Sequence, residues 1–317
     1  MYIKFWGTRG SIPTPLSADS LKQKIRRALE GAAGLNLNDP AVVKRYVDRL
    51  PFETRGTIGG NTTCVEVRSG DQLLIIDAGS GLRVLGIELM GKGFVKGHQQ
   101  ADFLITHTHW DHIQGFPFFG PAFIPHNHFT FHSPFAELKD RLAQQQDEFF
   151  FPVSIDYMSA TFEFNQLQEK AWHQIGNFRV YPMRLSHPGE TYGYRIEDGK
   201  ACFVFATDGE YKRVDRTNTE QFNQFFHQAD LLVFDAQYNW SEALDKPDWG
   251  HSSAVAGAEL AYRAQVKQLA LFHHDPASTD EKIVLAQEEA EAYLRRAHPD
   301  GNRCQMLIAY DGLSLEI

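Results

Sequence analysis

The chain has 317 residues, of which 43% are hydrophobic and 13% aromatic, so it has enough material for one large domain or two average ones. Its formal net charge is −9 and its Lys and Arg residues form no block. This argues against a broad, non-specific grip on nucleic acid, because such binding depends on neutralising phosphates. A small anionic substrate stays compatible with the charge, since bound metal ions would reverse its sign locally.

The cysteines and the N-terminus indicate a cellular compartment. Cys64, Cys202 and Cys304 are odd in number, widely spaced and outside any CxxC motif, which favours buried reduced thiols in a reducing environment. The N-terminal segment Met1–Gly7 lacks the apolar run of a signal peptide, and no stretch reaches the apolar length of a membrane span. We therefore expect a soluble, cytoplasmic protein.

The N-terminal part of the chain is predicted to form strands interrupted by helices. Residues 19–50 are charged and repeat apolar residues at helical spacing, so they predict a helical insertion of two segments split by Gly31–Pro40. The other predicted elements of this part are strands at 2–6, Thr62–Arg68 and Gln72–Asp77, a hairpin turn at Ser69-Gly70-Asp71, and a helix from Gly79 through Leu89.

The next strand, predicted at Ala101–Thr106, leads into His107-Thr108-His109-Trp110-Asp111-His112. The first two histidines of this segment are two residues apart and project the same way, whereas the Asp and the last His point elsewhere. Ligands in two directions suit two neighbouring metal ions better than one. The alternative is four polar residues on an exposed loop, but the hydrophobic runs Phe103–Ile105 and Phe116–Phe119 frame the segment and argue against it.

The remainder of the chain is predicted to form further strands and three helices. The strands are Phe129–His132, Ala160–Phe164, Phe178–Ser186, Thr191–Glu197, Ala201–Ala206, Leu231–Ala236, Gln268–His273 and Met306–Tyr310, and the helices are Phe135–Phe149, Ser252–Ala264 and Glu281–Ala297. This order indicates two packed sheets covered by helices. Without a low-complexity linker, we expect residues 1–317 to form a single domain with the helical insertion at about 19–50 and a variable insertion at about 120–175.

Three further candidate ligands follow predicted strands in the second half of the chain. Two metal ions bound by His and carboxylate side chains need roughly seven protein ligands, one of them a bridging carboxylate. The His107–His112 segment offers four, and His187, Asp208 and His273 each follow a predicted strand. Each of the three also fits a polar residue that caps a strand or turn, but their shared position at strand ends favours the metal site.

Segments along nearly the whole chain resemble those of metallo-β-lactamase-fold proteins, in the tRNase Z / PhnP-type phosphodiesterase branch. The matching segments are Gly7–Ser11, Asn61-Thr62, Asp77-Ala78-Gly79, His107–His112, Ser186-His187-Pro188, Thr207-Asp208-Gly209, Ala229–Ala236, Trp249–Ser253 and Leu271-Phe272-His273. The resemblance implies an α/β fold, a four-layer αββα sandwich (the metallo-β-lactamase fold) with helical insertions, whose site lies at one edge of the sheets.

The resemblance also implies the metals and their ligands. The first metal would take His107, His109 and His187, the second would take Asp111, His112 and His273, and Asp208 would bridge them. His274 competes with His273 for the last place. His109 stands where flavodiiron relatives place Glu, which favours two zinc ions (Zn2+) per chain over redox iron, with manganese (Mn2+) as the alternative.

Further roles follow from the same resemblance. The segment Trp249–Ser253 is similar to the "HST" motif of tRNase Z, which would make His251 the proton donor to the leaving group, held by Asp235. The alternative for His251 is a residue next to the N-cap of the following helix. Asp111 would orient the attacking hydroxide while it binds metal, and Asp77 is similar to the family's buried carboxylate that supports the ligand loop.

The predicted reaction is hydrolysis of small phosphodiesters such as cyclic nucleotides by a metal-bridging hydroxide. The interval between His187 and Asp208 is too short for the arm with which tRNase Z clasps tRNA, so we expect a small anionic diester and no extended nucleic acid or membrane partner. The alternatives are an RNA 3′-processing endonuclease, a carboxylic ester, lactone or thioester hydrolase, and a non-catalytic metal-containing binding module. The two insertions would roof the pocket or build a homodimer interface, and Trp110 and Phe116–Phe119 would stack a base or pack in the core.

Overall fold

The computed structural model describes residues 1–211, 216–299, 301 and 304–317, and the strands within them form two sheets of seven. In chain order the strands are β1 (Tyr2–Gly7), β2 (Cys64–Ser69), β3 (Gln72–Ile76), β4 (Gln100–Leu104), β5 (His128–Ser133), β6 (Thr161–Gln166), β7 (His173–Ile175), β8 (Phe178–Leu185), β9 (Thr191–Glu197), β10 (Cys202–Ala206), β11 (Leu231–Asp235), β12 (Gln268–Phe272), β13 (Gln305–Ile308) and β14 (Ser314–Glu316). The sheet orders are β14-β1-β2-β3-β4-β5-β6 and β13-β12-β11-β10-β9-β8-β7. Both sheets are mixed, with β3 to β6 parallel in the first and β10 to β13 parallel in the second.

The helices connect the strands and flank the sheets. They are α1 (Ala18–Gly31), α2 (Pro40–Arg49), α3 (Phe52–Arg55), α4 (Gly81–Gly91), α5 (Trp110–Ile113), α6 (Leu138–Gln145), α7 (Arg216–Phe226), α8 (Trp240–Asp245), α9 (Ala254–Arg263) and α10 (Asp280–Ala297). Ser17 and Asp39 start α1 and α2, because their side chains accept hydrogen bonds from first-turn N–H groups. The predicted helical character of residues 19–50 is confirmed. Among the described residues, no helix is both long and apolar enough to cross a bilayer.

The buried strands contribute alternate side chains to two cores. Along β11, Leu231 and Val233 belong to the core between the sheets, whereas Leu232 and Phe234 belong to a second core formed with α7, α9 and α10. A strand buried on both faces reads as a continuous hydrophobic run, which explains the composition of this segment. Residues of α4 and α6 cover the first sheet. The layers are therefore helix, sheet, sheet and helix, and the predicted αββα sandwich is confirmed.

Some predicted elements have different bounds. The helix predicted at Phe135–Phe149 is wrong in length: α6 ends at Gln145, and the Asp147 carboxylate then accepts from the Phe149 N–H at 3.0 Å in a turn. The helices α3, α5, α7 and α8 and the strands β7 and β14 were not predicted. Four of these elements span only three or four residues, which is too short for a periodic pattern to be visible. The assignment of the whole chain to one domain stays a prediction.

Candidate metal centre

The segment His107–His112 bridges the end of β4 and the short helix α5. His109 is the N-cap residue of α5, so the chain turns there and brings Asp111 and His112 to the buried side. Trp110, the first residue of the helix, points outward and is 78% exposed. Within one helical turn, Asp111 and His112 therefore face the buried side. The indole of Trp110, which lies between His109 and Asp111 in sequence, faces outward.

Asp77 holds this segment in place from the end of β3. Its carboxylate accepts from the N–H of Thr106 at 2.8 Å and from the hydroxyl of Thr106 at 2.7 Å, and it lies 2.7 Å from Nδ1 of His112. The side chain is fully buried, and burial raises its pKa. The contact orients the His112 ring so that Nε2 faces the site, as outer carboxylates commonly do for metal-binding histidines.

His187, Asp208 and His273 follow the C-terminal ends of β8, β10 and β12. These strands run in the same direction in one sheet, so their C-terminal ends meet at one edge. Asp208 and His273 have positive φ angles of 55° and 58°, a left-handed conformation that costs a non-glycine residue of order 1–3 kcal/mol. The fold holds both side chains toward the His107–His112 segment in spite of that cost.

The candidate ligands form two groups on either side of the Asp208 carboxylate. In the first, His107 Nε2 and His187 Nε2 each lie 3.8 Å from Asp208 Oδ2, and His187 Nε2 lies 3.1 Å from His109 Nδ1. In the second, His112 Nε2 and His273 Nε2 each lie 3.3 Å from Asp208 Oδ1 and lie 3.4 Å and 3.1 Å from Asp111 Oδ2. One carboxylate thus turns one oxygen to each group, which is the geometry of a bridging ligand.

The outer ring nitrogens are held by hydrogen bonds, which leaves the inner ones to converge. Nδ1 of His187 donates to the Gly250 carbonyl at 2.9 Å, and Nδ1 of His273 lies 2.9 Å from Oε1 of Gln237. Nε2 of His107 is buried and has no hydrogen-bond partner among the described residues, while His112 Nε2 and His273 Nε2 face each other at 3.4 Å. Buried ring nitrogens that face one another, with no donor group to fill the space between them, are suited to binding a cation.

The protonation states point the same way. Burial lowers the pKa of His107, His109 and His187, so these imidazoles are neutral and have a free lone pair at neutral pH. Burial alone would raise the pKa of Asp111 and Asp208, but the adjacent histidines hold both well below the usual carboxyl value. The first group therefore offers neutral nitrogens beside ionised carboxylates.

In the second group burial alone would lower the pKa of His112, but the carboxylates of Asp208, Asp111 and Asp77 raise it, so this ring must give up a proton when a cation binds. Imidazole nitrogens with ionised carboxylates are a donor set that fits two divalent cations.

His274 lies outside this cluster. Its Nε2 donates to the Ala309 carbonyl at 2.9 Å, and burial lowers its pKa to about 3. Of the two neighbouring histidines, it is therefore His273 whose ring faces the candidate ligands.

His251 and Asp235 form a pair beside the cluster. His251 Nδ1 lies 2.8 Å from Asp235 Oδ2, and the His251 ring lies 5.0 Å from the ring of His273 and 5.1 Å from that of His187. Burial alone would lower the pKa of His251, but the Asp235 carboxylate raises it to about 9. The helix cap is supplied by Ser253, whose side chain accepts from the N–H of Ala256, so His251 is free of that task.

The structure adds residues that the sequence did not single out. The Ser11 N–H donates to Asp111 Oδ2 at 2.7 Å, from a left-handed backbone with φ 64°. Gly10 packs against His273 so closely that a Cβ there would lie 2.4 Å from the ring. The segment Gly7–Ser11 matched the family without an assigned role, whereas Gln237, which contacts His273, carries no sequence signal.

The chain is similar to a known protein family and to several curated proteins. The family model described as "Beta-lactamase superfamily domain" matches residues 73–274, more than half of the chain. Ribonuclease Z from Prochlorococcus marinus (strain NATL1A) is 26% identical over 263 residues, which cover 66% of this chain and 79% of that protein. The matched share of the relative's own length is 38% in the uncharacterized protein ML1173 of Mycobacterium leprae, and among the other curated proteins it runs from 30% to 87%.

Two solved structures with similar folds align with the full length of the chain. The metallo-β-lactamase fold protein YhfI from Bacillus subtilis has a TM-score of 0.64 and 17% identity and is covered over 98% of its length. A diphosphatase from the PhnP family has a TM-score of 0.57 and 17% identity and is covered over 97%. At these identities the similarity concerns the fold alone.

Proposed function

The chain belongs to the beta-lactamase superfamily, and from this membership and the site geometry we propose that it is a metal-dependent phosphodiesterase acting on small diesters such as cyclic nucleotides. The observation that carries the proposal is the His251–Asp235 pair, 2.8 Å apart and in ring contact with the candidate metal centre. A protonated histidine at that place can supply the proton that an alkoxide leaving group needs.

We assign two divalent cations to the centre, zinc first and manganese as the alternative. The first would be held by His107, His109 and His187, the second by Asp111, His112 and His273, with Asp208 shared. Such cations, when bound, neutralise charge on phosphoryl oxygens and make water a nucleophile at neutral pH. Asp111, which the Ser11 N–H keeps in position, would also orient the attacking water.

His251 holds its proton at Nε2 while Nδ1 donates to Asp235. A pKa of about 9 keeps the ring protonated at neutral pH. Asp235 is itself fixed, because it accepts from the N–H groups of Asp208, Gln237 and Ser252. The acid is thus oriented by a carboxylate that is anchored to the same backbone segments as the metal centre, and it would protonate the leaving oxygen as the P–O bond breaks.

Two observations favour a small diester. The interval between His187 and Asp208 contains β9 and β10 and no longer arm, and the net charge of −9 disfavours a long polyanion. The curated relative at 26% identity is named as a ribonuclease, a class of enzyme that cleaves bonds to phosphorus. The ribonuclease Z match over 66% of the chain keeps RNA 3′-end cleavage as the second candidate.

The test is a substrate panel on protein whose metal content is measured. Bis(p-nitrophenyl) phosphate, 3′,5′- and 2′,3′-cyclic nucleotides and precursor tRNA are each incubated with protein loaded with zinc or manganese. We expect turnover of small diesters. Asp208→Ala removes a carboxylate shared by both cations, so its loss of activity should exceed the roughly 10-fold to 100-fold typical of changing an outer partner of a metal ligand. Absence of turnover on every small diester, by protein that carries two metals, refutes the proposal, and much faster cleavage of precursor tRNA selects the second candidate.

A further inference from the structure

The most exposed large hydrophobic side chains of the described residues are all aromatic. Phe149 is 85% exposed, Trp110 and Phe150 are 78% exposed, and Tyr157 is 75% exposed, whereas the next, Leu244, is 66% exposed. Aromatic rings left in water contribute nothing to the core. Apolar side chains clustered at a surface usually mark a place where something binds.

Trp110, Phe149 and Phe150 lie on two segments that pack side by side. The contacts between the segments are Arg141 Nη1 to Thr108 Oγ1 at 3.3 Å, Gln145 Nε2 to the Ile113 carbonyl at 2.9 Å, and the rings of Phe151 and Phe118 at 5.4 Å. Residues 141–151 therefore run alongside residues 108–118. Phe149 and Phe150 directly precede Phe151, whose ring contacts Phe118. Trp110 lies between Thr108, which contacts Arg141, and Ile113, which contacts Gln145.

Residues 108–118 also contain three of the candidate metal ligands, His109, Asp111 and His112. Trp110 stands between His109 and Asp111 and is the outward-facing residue of α5. The neighbouring Phe116 and Phe119 are fully buried and belong to the core, which separates the structural aromatic residues of this region from the exposed ones. Trp110 is thus the exposed ring next in sequence to two candidate ligands, and Phe149 and Phe150 lie on the segment packed alongside.

The charges of this surface restrict what it can bind. Asp147 and Glu148 precede Phe149 and Phe150 directly, and the Arg141 guanidinium is occupied by Glu137 and by the face of Phe135 at 4.2 Å. Acidic residues beside the rings repel a chain of phosphates, so a track for extended RNA is disfavoured. Flat rings flanked by carboxylates suit one uncharged aromatic ring, because every nucleobase has a face that stacks on an aromatic side chain.

We infer that Trp110, with Phe149 and Phe150, binds the nucleobase of the diester whose phosphate is cleaved at the metal centre. The inference rests on the proposed phosphodiesterase function and narrows its substrates to diesters that carry a nucleoside. The aromatic surface contributes binding and specificity, and the chemistry stays with the metal centre and His251.

Two esters with the same leaving group isolate this contribution. Thymidine 5′-(p-nitrophenyl phosphate) and methyl p-nitrophenyl phosphate both release p-nitrophenolate, but only the first carries a base. We expect wild-type protein to prefer the thymidine ester in kcat/KM. Trp110→Ala should reduce that preference by roughly 5-fold to 150-fold, the range found when one base-stacking side chain is removed. Phe149→Ser/Phe150→Ser should reduce it in the same direction.

Trp172→Ala is the matched control. Trp172 is 42% exposed and packs on Tyr181 near the edge strand β7, so its loss should leave the preference for the thymidine ester as it is in wild type. Equal metal content and equal unfolding midpoints in all variants exclude a general loss of structure.

Binding measurements keep this test separate from that of the proposed function. Calorimetry on metal-loaded protein compares thymidine 5′-monophosphate with methyl phosphate, and we expect tighter binding of the nucleotide in wild type and loss of the difference in Trp110→Ala. If neither these esters nor any other small diester of the panel is hydrolysed, the proposed function fails, while the binding measurements still decide the inference. An unchanged preference in both aromatic variants overturns the inference. So does a change from dimer to monomer in Phe149→Ser/Phe150→Ser, which would make this surface an interface between two copies.

Discussion

Gly250→Ala tests whether the loop before His251 positions a candidate metal ligand. Gly250 has φ +81° and its carbonyl accepts from His187 Nδ1 at 2.9 Å. A Cβ at this position would lie 2.2 Å from His187 Nδ1 and 2.5 Å from Cδ of Pro188. Gly34→Ala is the matched control, because Gly34 has φ +83° and a Cβ there would meet no other part of the described chain within 4 Å.

Both substitutions place an alanine in the left-handed backbone region, but only Gly250→Ala also creates a steric clash. An alanine in the left-handed region costs about 1–2 kcal/mol, which both variants should lose from the free energy of unfolding. Gly250→Ala must also move the loop or the His187 ring by roughly 1 Å or more to reach ordinary contact distance, which gives up a hydrogen bond worth about 0.5–1.5 kcal/mol. Displacing a partner of a metal-binding histidine typically lowers metal affinity or activity by about 10-fold to 100-fold.

Three measurements separate these effects. Urea unfolding gives the stability of each variant, competition with a chromogenic chelator gives zinc affinity, and hydrolysis of bis(p-nitrophenyl) phosphate gives kcat/KM. We expect Gly34→Ala to lose stability only, and Gly250→Ala to lose stability, zinc affinity and activity together. If Gly250→Ala matches Gly34→Ala in zinc affinity and activity, the contact between Gly250 and His187 does not position the ligand, and the reasoning is wrong.

Three further predictions concern other parts of the molecule. Asp77→Ala should lower the free energy of unfolding by about 3–5 kcal/mol, because it removes one partner of a fully buried pair with His112, and urea unfolding measures this. His251→Gln should slow the hydrolysis of diesters with alkoxide leaving groups by about 10²–10⁴-fold. It should leave the hydrolysis of p-nitrophenyl diesters nearly unchanged, because p-nitrophenolate leaves without a proton. Equal losses of rate on both kinds of diester would contradict the role of His251 as an acid. Burial raises the pKa of Cys202 to about 12 and of Cys304 to about 11, so the thiolate forms only at strongly alkaline pH and a thiol reagent at pH 8 should label neither until the protein is denatured.

Much of the fold and of the candidate site was predictable because the relevant signals are local. The run before His107 is hydrophobic because β4 is buried, and the His and Asp residues that follow have an ordinary preference for metals. Asp208 and His273 were found because each follows a predicted strand, and the structure brings the ends of those strands to one sheet edge. The helical character of residues 19–50 came from apolar spacing, which depends only on neighbours in the chain.

Elements without a local signal were missed or misplaced. β7 and β14 span three residues each and exist because an adjacent strand pairs with them. The helix predicted at Phe135–Phe149 was too long, since its end is decided by a turn at Asp147. Among the elements that were not predicted, α8 does carry a local signal, the capping box formed by Asn239 and Glu242.

The sequence by itself determined the chemistry of this protein: which side chains can bind metal, which segments are buried, and the order of strands that makes a two-sheet sandwich. Only the tertiary structure decided how those side chains are held. Ser11 meets Asp111, and Gly250 meets His187, across long stretches of chain. The same holds for Trp110, whose exposure beside buried phenylalanines follows from one helical turn. Contacts between distant residues depend on packing, and no local pattern encodes them.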